Sequence, residues 1–173
     1  MEDRIAPLDQ THDRAAFSCG KRGIDNYFHR HALQAQLRHF AATFVAVNAS
    51  EPQRVLGFYT LIAIEFRDDE MPDVVARKLK VKGMGSIPGI LLAQFATLES
   101  MQGRGLGRLL LTSALEKCLE ASNNVGAVAV VADPIDQEAE GFYRKFDFVS
   151  LDPESPRLVL AMKTIAQACS PRR

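Results

Sequence analysis

The chain predicts an α/β protein with one mixed β-sheet flanked by helices, and three observations carry that prediction. Residues 41–47 and 55–64 are β-branched and aromatic runs joined by a short polar stretch, which reads as an antiparallel hairpin. Residues 90–97 and 126–132 are nearly continuous apolar runs on either side of a leucine-rich segment, and two buried strands around one helix make a βαβ unit. The third observation is the turn between the first of those strands and its helix, which holds Gly103, Gly105 and Gly107.

The remaining elements follow in order. Ile5 to Leu8 suit a short first strand, and residues 13–40 read as helical with a turn at Phe17-Ser18-Cys19-Gly20. Past that turn Ile24, Tyr27, Phe28, Ala32 and Ala35 recur at helical spacing, so one face is core and the other carries His29, Arg30, Gln34 and Arg38. Pro72 suits a helix's first turn, with Val74, Val75 and Leu79 on one side and a basic run of Arg77, Lys78, Lys80 and Lys82. Gly83, Gly85 and Gly89 with Pro88 read as a mobile connection into the strand that follows. Beyond the glycine turn, Leu110, Leu111, Ala114, Leu115, Cys118 and Leu119 share one side of a helix that Asn123-Asn124 ends. Asp133-Pro134 opens a helix over residues 135–146, striped with Ile135, Ala139, Phe142 and Phe146, with Tyr143 at the edge of the stripe. Residues 148–151 and 158–162 close the sheet. Residues 1–165 are expected to form one domain and 166–173 a loose tail.

A chain of 173 residues, 47% hydrophobic and 24% charged, suits one globular domain with a sizeable core. No apolar run approaches the ~20 residues of a membrane span, and the acidic start lacks a signal peptide's basic and apolar regions, so a soluble cytoplasmic protein is expected. Cys19, Cys118 and Cys169 are odd in number and far apart, which supports neither a disulfide framework nor a metal site; Cys118 falls on an apolar helix face. The 21 basic and 21 acidic residues cancel, so net charge does not advertise nucleic-acid binding. Local charge differs: residues 12–40 hold Arg14, Lys21, Arg22, Arg30 and Arg38 against Asp13 and Asp25. Such stretches read either as solvated helix faces or as contacts to an anionic substrate.

Glycines at a strand-to-helix turn let the backbone approach a ligand, and the helix they open directs unpaired N–H groups and the positive end of its dipole at it. An anion is the expected guest. A dinucleotide loop needs G-x-G-x-x-G near the first strand, whereas this one is G-x-G-x-G and late in the chain; a Walker loop needs a terminal Lys-Ser/Thr, which Gly107-Arg108-Leu109 lacks.

The strand, a Gln-x-x-Gly-x-Gly loop at Gln102, Gly105 and Gly107, the helix, a second strand and a helix bearing Phe142-Tyr143 together resemble the GNAT superfamily of acetyl-coenzyme A-dependent N-acetyltransferases over essentially the whole chain. More narrowly, the chain resembles the GNAT toxins of bacterial toxin–antitoxin modules. These have a Phe-x-Cys-Gly turn followed by Leu/Ile-Asp, here Phe17, Cys19, Gly20, Ile24 and Asp25, and a strand matched by Gly57-Phe58-Tyr59-Thr60-Leu61. They also have a proline before the central strand, here Pro88, and a closing segment matched by Ala139, Phe142, Tyr143, Phe146 and Phe148. Gln94 stands where the toxins' central strand usually carries arginine.

The resemblance implies a GNAT fold with a splayed mixed sheet, and acetyl-coenzyme A as co-substrate with no metal. Phe95, Ala96 and Thr97 would offer backbone groups to the pantetheine arm and thioester, and Gln102, Gly103, Arg104, Gly105, Leu106, Gly107 and Arg108 would hold the pyrophosphate, with Phe142 beside the cofactor. Tyr143 would protonate the leaving thiolate: a phenol of pKa about 10 is a donor at pH 7. The implied acceptor is the α-amine of aminoacyl-tRNA, gripped by Arg30, Arg38, Arg77, Lys78, Lys80 and Lys82, and the implied partner is a small DNA-binding antitoxin. A small-molecule or protein amine as acceptor, and a non-catalytic coenzyme A-binding module, are the alternatives. The sequence leaves a homodimer open. Glu65, Asp68 and Glu99 are carboxylates in plausible places for a general base, and nothing in the sequence singles one out.

Overall fold

In the computed structural model, which describes residues 3–170, seven strands form one sheet in the order β1-β2-β3-β4-β5-β7-β6. The strands are β1 (Asp3–Pro7), β2 (Ala42–Asn48), β3 (Glu51–Arg67), β4 (Ser86–Thr97), β5 (Ala129–Ala132), β6 (Val149–Ser150) and β7 (Leu158–Ala161). The helices are α1 (Arg22–Arg30), α2 (Ala32–Leu37), α3 (Asp73–Lys78), α4 (Leu106–Val125), α5 (Gln137–Arg144) and α6 (Met162–Cys169). The sheet is mixed, as the sequence predicts: β1–β2, β2–β3, β5–β7 and β6–β7 are antiparallel and β4–β5 is parallel. The parallel register sets Ile90, Leu91 and Leu92 against Val130, Val131 and Ala132, and β4 then runs on through Thr97.

Packing divides the chain into two compact units. The first contains the chain through Ile62 together with Ala93–Ala114; the second contains Ala63–Leu92 and the chain from Leu115 onward. The first is built on three rings: Phe28 stacks on Phe58 at 4.1 Å between centroids, and Phe17 meets both edge-on at 5.0 and 5.4 Å. Leu8, Val45, Val47, Val55 and Ala96 complete that core. In the second, Phe66, Met71, Ala76, Val81 and Ile87 pack with Ala129, Val131, Leu151 and Val159.

Several elements depart from expectation for local reasons. Residues 13–16 are not helical, because Asp13 accepts from the Ala16 amide, and such side-chain bonds offer the backbone an alternative to helix; residues 17–20 are non-helical, as expected of a turn, with Asp25 accepting from the Cys19 amide. The glycine-bearing approach to β4 is largely strand: β4 begins at Ser86, and Gly89 is buried where a Cβ would come within 2.8 Å of Phe66. In α3 the inward residue is Ala76, while Val74 is 77% exposed. Lys80 lies past the end of α3 with φ of 59°. The expected boundary at residue 165 falls inside α6, so residues 166–169 are helical; residues 171–173 lie outside the described part. Cys118 is fully buried in α4, as its helical position implies.

Candidate active site

The glycine-rich turn begins where β4 ends. Leu98 donates its amide to the Leu56 carbonyl at 2.7 Å, a single 3-10 turn spans Glu99–Met101, and Gln102 is extended. Gly103 and Gly105 then take φ of 73° and 86°, a region that costs an L side chain about 1–2 kcal/mol, and α4 starts at once. No atom lies within 4 Å of a Cβ added at either position, so these glycines are required by backbone conformation and leave their outer side free. Leu106 is 4% exposed and fastens the start of α4 to the core. The first turn of α4 has no acidic residue, so its dipole end is unneutralised. Arg104 and Arg108 are exposed alongside. Exposed amides, an unneutralised helix N-terminus and arginines make an anion seat.

On β4, Ala96 is buried and Phe95 and Thr97 are half-buried. A Cβ at Gly57 would lie 2.6 Å from Leu110 Cδ1 and 3.0 Å from the Ala96 carbonyl, so a side chain there would push on both α4 and β4. Tyr59 donates to, or accepts from, Ser113 of α4 at 2.9 Å.

The sequence shows Phe17-Ser18-Cys19-Gly20 as a turn and as a motif of the resemblance, without a link to the glycine loop; the structure ties it to the loop. Asp25 accepts from the Cys19 amide at 2.8 Å and the Ser18 hydroxyl at 2.9 Å. The Ser18 carbonyl accepts from the Glu99 amide at 2.9 Å, and the Cys19 carbonyl accepts from Gln102 Nε2 at 3.0 Å. Burial works against the Asp25 charge, yet the Cys19 and Ser18 hydrogen bonds hold its carboxyl below the usual range. Burial pushes the Cys19 thiol up to about 11, which makes it inert at neutral pH. Beside the turn lies a cavity of about 440 Å³ lined by Ser18, Gly20, Arg22, Asp25, Asn26, His29 and Arg30. The signal for this arrangement was present in the motif spacing, but spacing alone does not say which carbonyl meets which amide.

Tyr143 lies in the second unit. Asp136 caps α5 by accepting from the Ala139 amide at 2.9 Å, and Tyr143 in the last turn is the buried residue of that helix, 6% exposed. The sequence placed it at the edge of the apolar stripe; instead Tyr143 is the inward residue of α5 and Phe142 is half-buried, while Ile135, 59% exposed, lies ahead of the helix, which starts at Gln137. Its ring meets Phe148 at 5.4 Å and Phe142 at 5.6 Å. Burial, and then the charge of Asp133, raise its pKa, so the phenol stays protonated throughout the physiological range. Asp133 is itself engaged by a two-pronged pair with Arg157, both contacts 2.7 Å.

The candidate substrate contacts fall into two groups. Arg30 and Arg38 are exposed in the first unit, and Arg30 lines the cavity. Arg77, Lys78, Lys80 and Lys82 are exposed in the second, where Lys82 pairs with Asp73 at 2.7 Å and Arg77 approaches the same carboxylate at 4.0 Å. Both pairs are exposed and screened by solvent, so they hold the two cations only loosely. Of the carboxylates considered as bases, Asp68 accepts from the Gly83 amide, and Glu65 and Glu99 are exposed.

Comparison with known proteins agrees with this geometry. A tRNA-acetylating toxin of Mycobacterium tuberculosis is 33% identical over 161 residues, 92% of this chain and 90% of that protein. A probable toxin TacT of Sinorhizobium fredii is 28% identical over 93% of this chain and 92% of its own. Among solved structures, a tyrosine-to-phenylalanine mutant of KacT superposes with a TM-score of 0.89 at 23% identity, covering 97% of this chain and 99% of KacT. AtaT complexed with acetyl-methionyl-tRNAfMet superposes with a TM-score of 0.87 at 24% identity, covering 98% and 100%. The profile of the Acetyltransferase (GNAT) family matches residues 10–148, and with the fold and the glycine loop in place the chain belongs to that family.

Proposed function

We propose that the chain transfers acetyl from acetyl-coenzyme A to the α-amine of aminoacyl-tRNA in the cytoplasm, blocking translation as a toxin held in check by a small DNA-binding antitoxin. The observation that carries this reading is the 33% identity, across 92% of the chain, to a tRNA-acetylating toxin. The glycine loop supports the donor side: amides of residues 102–108 and the first turn of α4 take the pyrophosphate, with Arg104 and Arg108 adding charge. Phe95, Ala96 and Thr97 offer backbone groups to the pantetheine arm, and Phe142 lies beside it.

The acceptor chemistry follows from protonation. An α-amine of pKa about 7.7–8.0 is already partly neutral at pH 7, whereas a lysine amine of pKa about 10.4 is neutral less than once in roughly a thousand molecules. An α-amine therefore reaches its nucleophilic form without a dedicated base, which fits a site where Asp68 is engaged and Glu65 and Glu99 are solvated. Attack on the thioester forms the amide and releases a thiolate. Tyr143, a protonated phenol at neutral pH whose raised pKa disfavours full proton loss, gives a hydrogen bond to that developing charge, and the proton the amine sheds as the amide forms passes to solvent, which returns one to the thiolate. Arg30, Arg38, Arg77, Lys78, Lys80 and Lys82 serve as phosphate contacts.

The test is transfer of labelled acetyl to a mixed pool of charged tRNA by the purified protein. Label that is released with the amino acid on deacylation supports the reading. Label on a free polyamine or a peptide amine and none on charged tRNA would leave an acetyltransferase of another acceptor, and coenzyme A binding with no transfer to any amine would leave a binding module.

A further inference from the structure

The Ser18-Cys19-Gly20 turn and Asp25 are more strongly bonded than a surface turn requires, and their bonds lead to the mouth of the glycine loop. The loop itself has little to hold it. Gly103, Arg104 and Gly105 are exposed, and no atom lies within 4 Å of a Cβ added at either glycine. Its downstream anchor is buried Leu106. Upstream, the Leu98 and Met101 amides are tied to the Leu56 and Leu98 carbonyls, and three further bonds lie nearer the loop: the Glu99 amide on the Ser18 carbonyl, the Gln102 amide on the Glu99 carbonyl at 3.3 Å, and Gln102 Nε2 on the Cys19 carbonyl. Two of these three end on the turn, and the turn is closed by Asp25 through both carboxylate oxygens. His29 Nε2 lies 2.7 Å from the Phe17 carbonyl and braces the residue before it.

We propose that Asp25 is a positioning residue for the glycine-rich loop: it clamps the turn whose Ser18 and Cys19 carbonyls hold Glu99 and Gln102, so that the loop's amides are arranged before the ligand arrives. On this reading the Gln102 side chain is a structural tie that faces the turn, and its backbone is what meets the anion. A loop ordered in advance loses less freedom on binding, so the clamp is felt in affinity for the donor and leaves the chemical step untouched. The proposal rests on the reading of the loop as the seat of the coenzyme A pyrophosphate.

The experiment is calorimetric binding of acetyl-coenzyme A, with steady-state kinetics, for Asp25→Ala, Asp25→Asn, Gln102→Ala and the double variant Asp25→Ala/Gln102→Ala. Asparagine keeps an acceptor for the Cys19 amide and a polar partner for Ser18. We expect Asp25→Ala to weaken binding about tenfold and Gln102→Ala by a similar factor, equivalent to about 1.4 kcal/mol. Asp25→Asn should stay within roughly threefold, and the double variant should be no weaker than the weaker single, because both break one chain of contacts. In Asp25→Ala and Asp25→Asn, kcat at saturating donor should not change. Normal binding by folded Asp25→Ala, multiplicative losses in the double variant, or a fall in kcat with unchanged KM for the donor would each overturn the clamp. Should Asp25→Ala not fold, Ser18→Ala removes one bond of the same clamp: weaker binding with unchanged kcat supports the proposal and unchanged binding overturns it. Failure of the wild type to bind acetyl-coenzyme A would instead remove the reading of the loop, and the clamp with it.

Discussion

The glycine loop of residues 102–108 and the Tyr143 neighbourhood are built by opposite means. The loop is exposed, has no side-chain packing at Gly103 or Gly105, and offers backbone amides and a helix dipole. Tyr143 is 6% exposed, wedged against Phe148 and Phe142, and offers one hydroxyl. An anion on the loop needs many weak donors and easy access, so conformation matters more than burial. Tyr143 is placed the other way, because removal from water disfavours its charged form. The same contrast separates the loop glycines from Gly57 and Gly89, which are small because neighbours at 2.6 and 2.8 Å leave no room for a Cβ.

The sharpest break in this comparison is Tyr143→Phe, which keeps the ring contacts and removes the hydroxyl. Acetyl transfer should fall about 10²- to 10⁴-fold while acetyl-coenzyme A affinity stays within a factor of about two, measured by steady-state kinetics and calorimetry. Unaltered turnover would reduce Tyr143 to a packing residue. Gly105→Val tests the other region: with φ at 86° the new side chain is strained by about 1–2 kcal/mol and its methyls enter the anion seat. Donor affinity should drop by at least about tenfold, a larger effect than the about 1–2 kcal/mol of stability the strain removes, and normal affinity in the folded variant would end the argument for an anion there.

Gly89→Ala reverses that pattern. The added methyl meets Phe66 at 2.8 Å and the Ala129 carbonyl at 3.3 Å, so denaturant unfolding should show a loss of about 1–3 kcal/mol. Equal stability would mean that the strand has slack.

Alkaline pH sharpens the contrast further. The folded Tyr143 pKa is raised, so its contribution is fully present below the unfolded value near 10 and is lost as pH rises toward the folded value, where only the unfolded chain ionises. Above pH 10 the wild type should lose about 1.4 kcal/mol per pH unit relative to Tyr143→Phe. Parallel pH–stability curves would show that Tyr143 is not held in its neutral form. The smallest effect is expected from Lys78→Glu with Lys80→Glu, two exposed cations without a role in packing. Charged-tRNA acetylation should weaken several-fold at low salt and converge on wild type as salt rises, with a free amino-acid ester unaffected. Equal loss on both acceptors would trace the effect to the site and not to a phosphate track.

The mixed sheet, the buried β4–β5 pair and the glycine loop were legible because each rests on a local rule. Continuous apolar runs mark strands covered on both faces, and closely spaced glycines before a leucine-rich helix mark a backbone that cannot carry side chains. Cys118 could be placed in the core from helical spacing alone. Residues 13–16 misled because their composition suits a helix, while Asp13 draws the backbone into a turn through a contact that periodicity does not register. In the same way Val74 looked inward from its spacing, but the short α3 presents Ala76 and leaves Val74 in water.

By itself, then, the sequence determined the features that depend on neighbours along the chain: the βαβ unit, the hairpin, the helix that opens at Leu106 and the glycines ahead of it. It also determined the family, since motifs in a fixed order are a property of the chain. Only the tertiary structure decided that Tyr143 is the inward residue of α5, sealed against Phe148 with its pKa raised, because the burial of a residue at the edge of a stripe depends on what packs against it. Only the tertiary structure joined Asp25 to Gln102 through two carbonyls of an intervening turn, because a hydrogen bond between residues distant in the chain depends on where folding brings their backbones and leaves no period in the sequence.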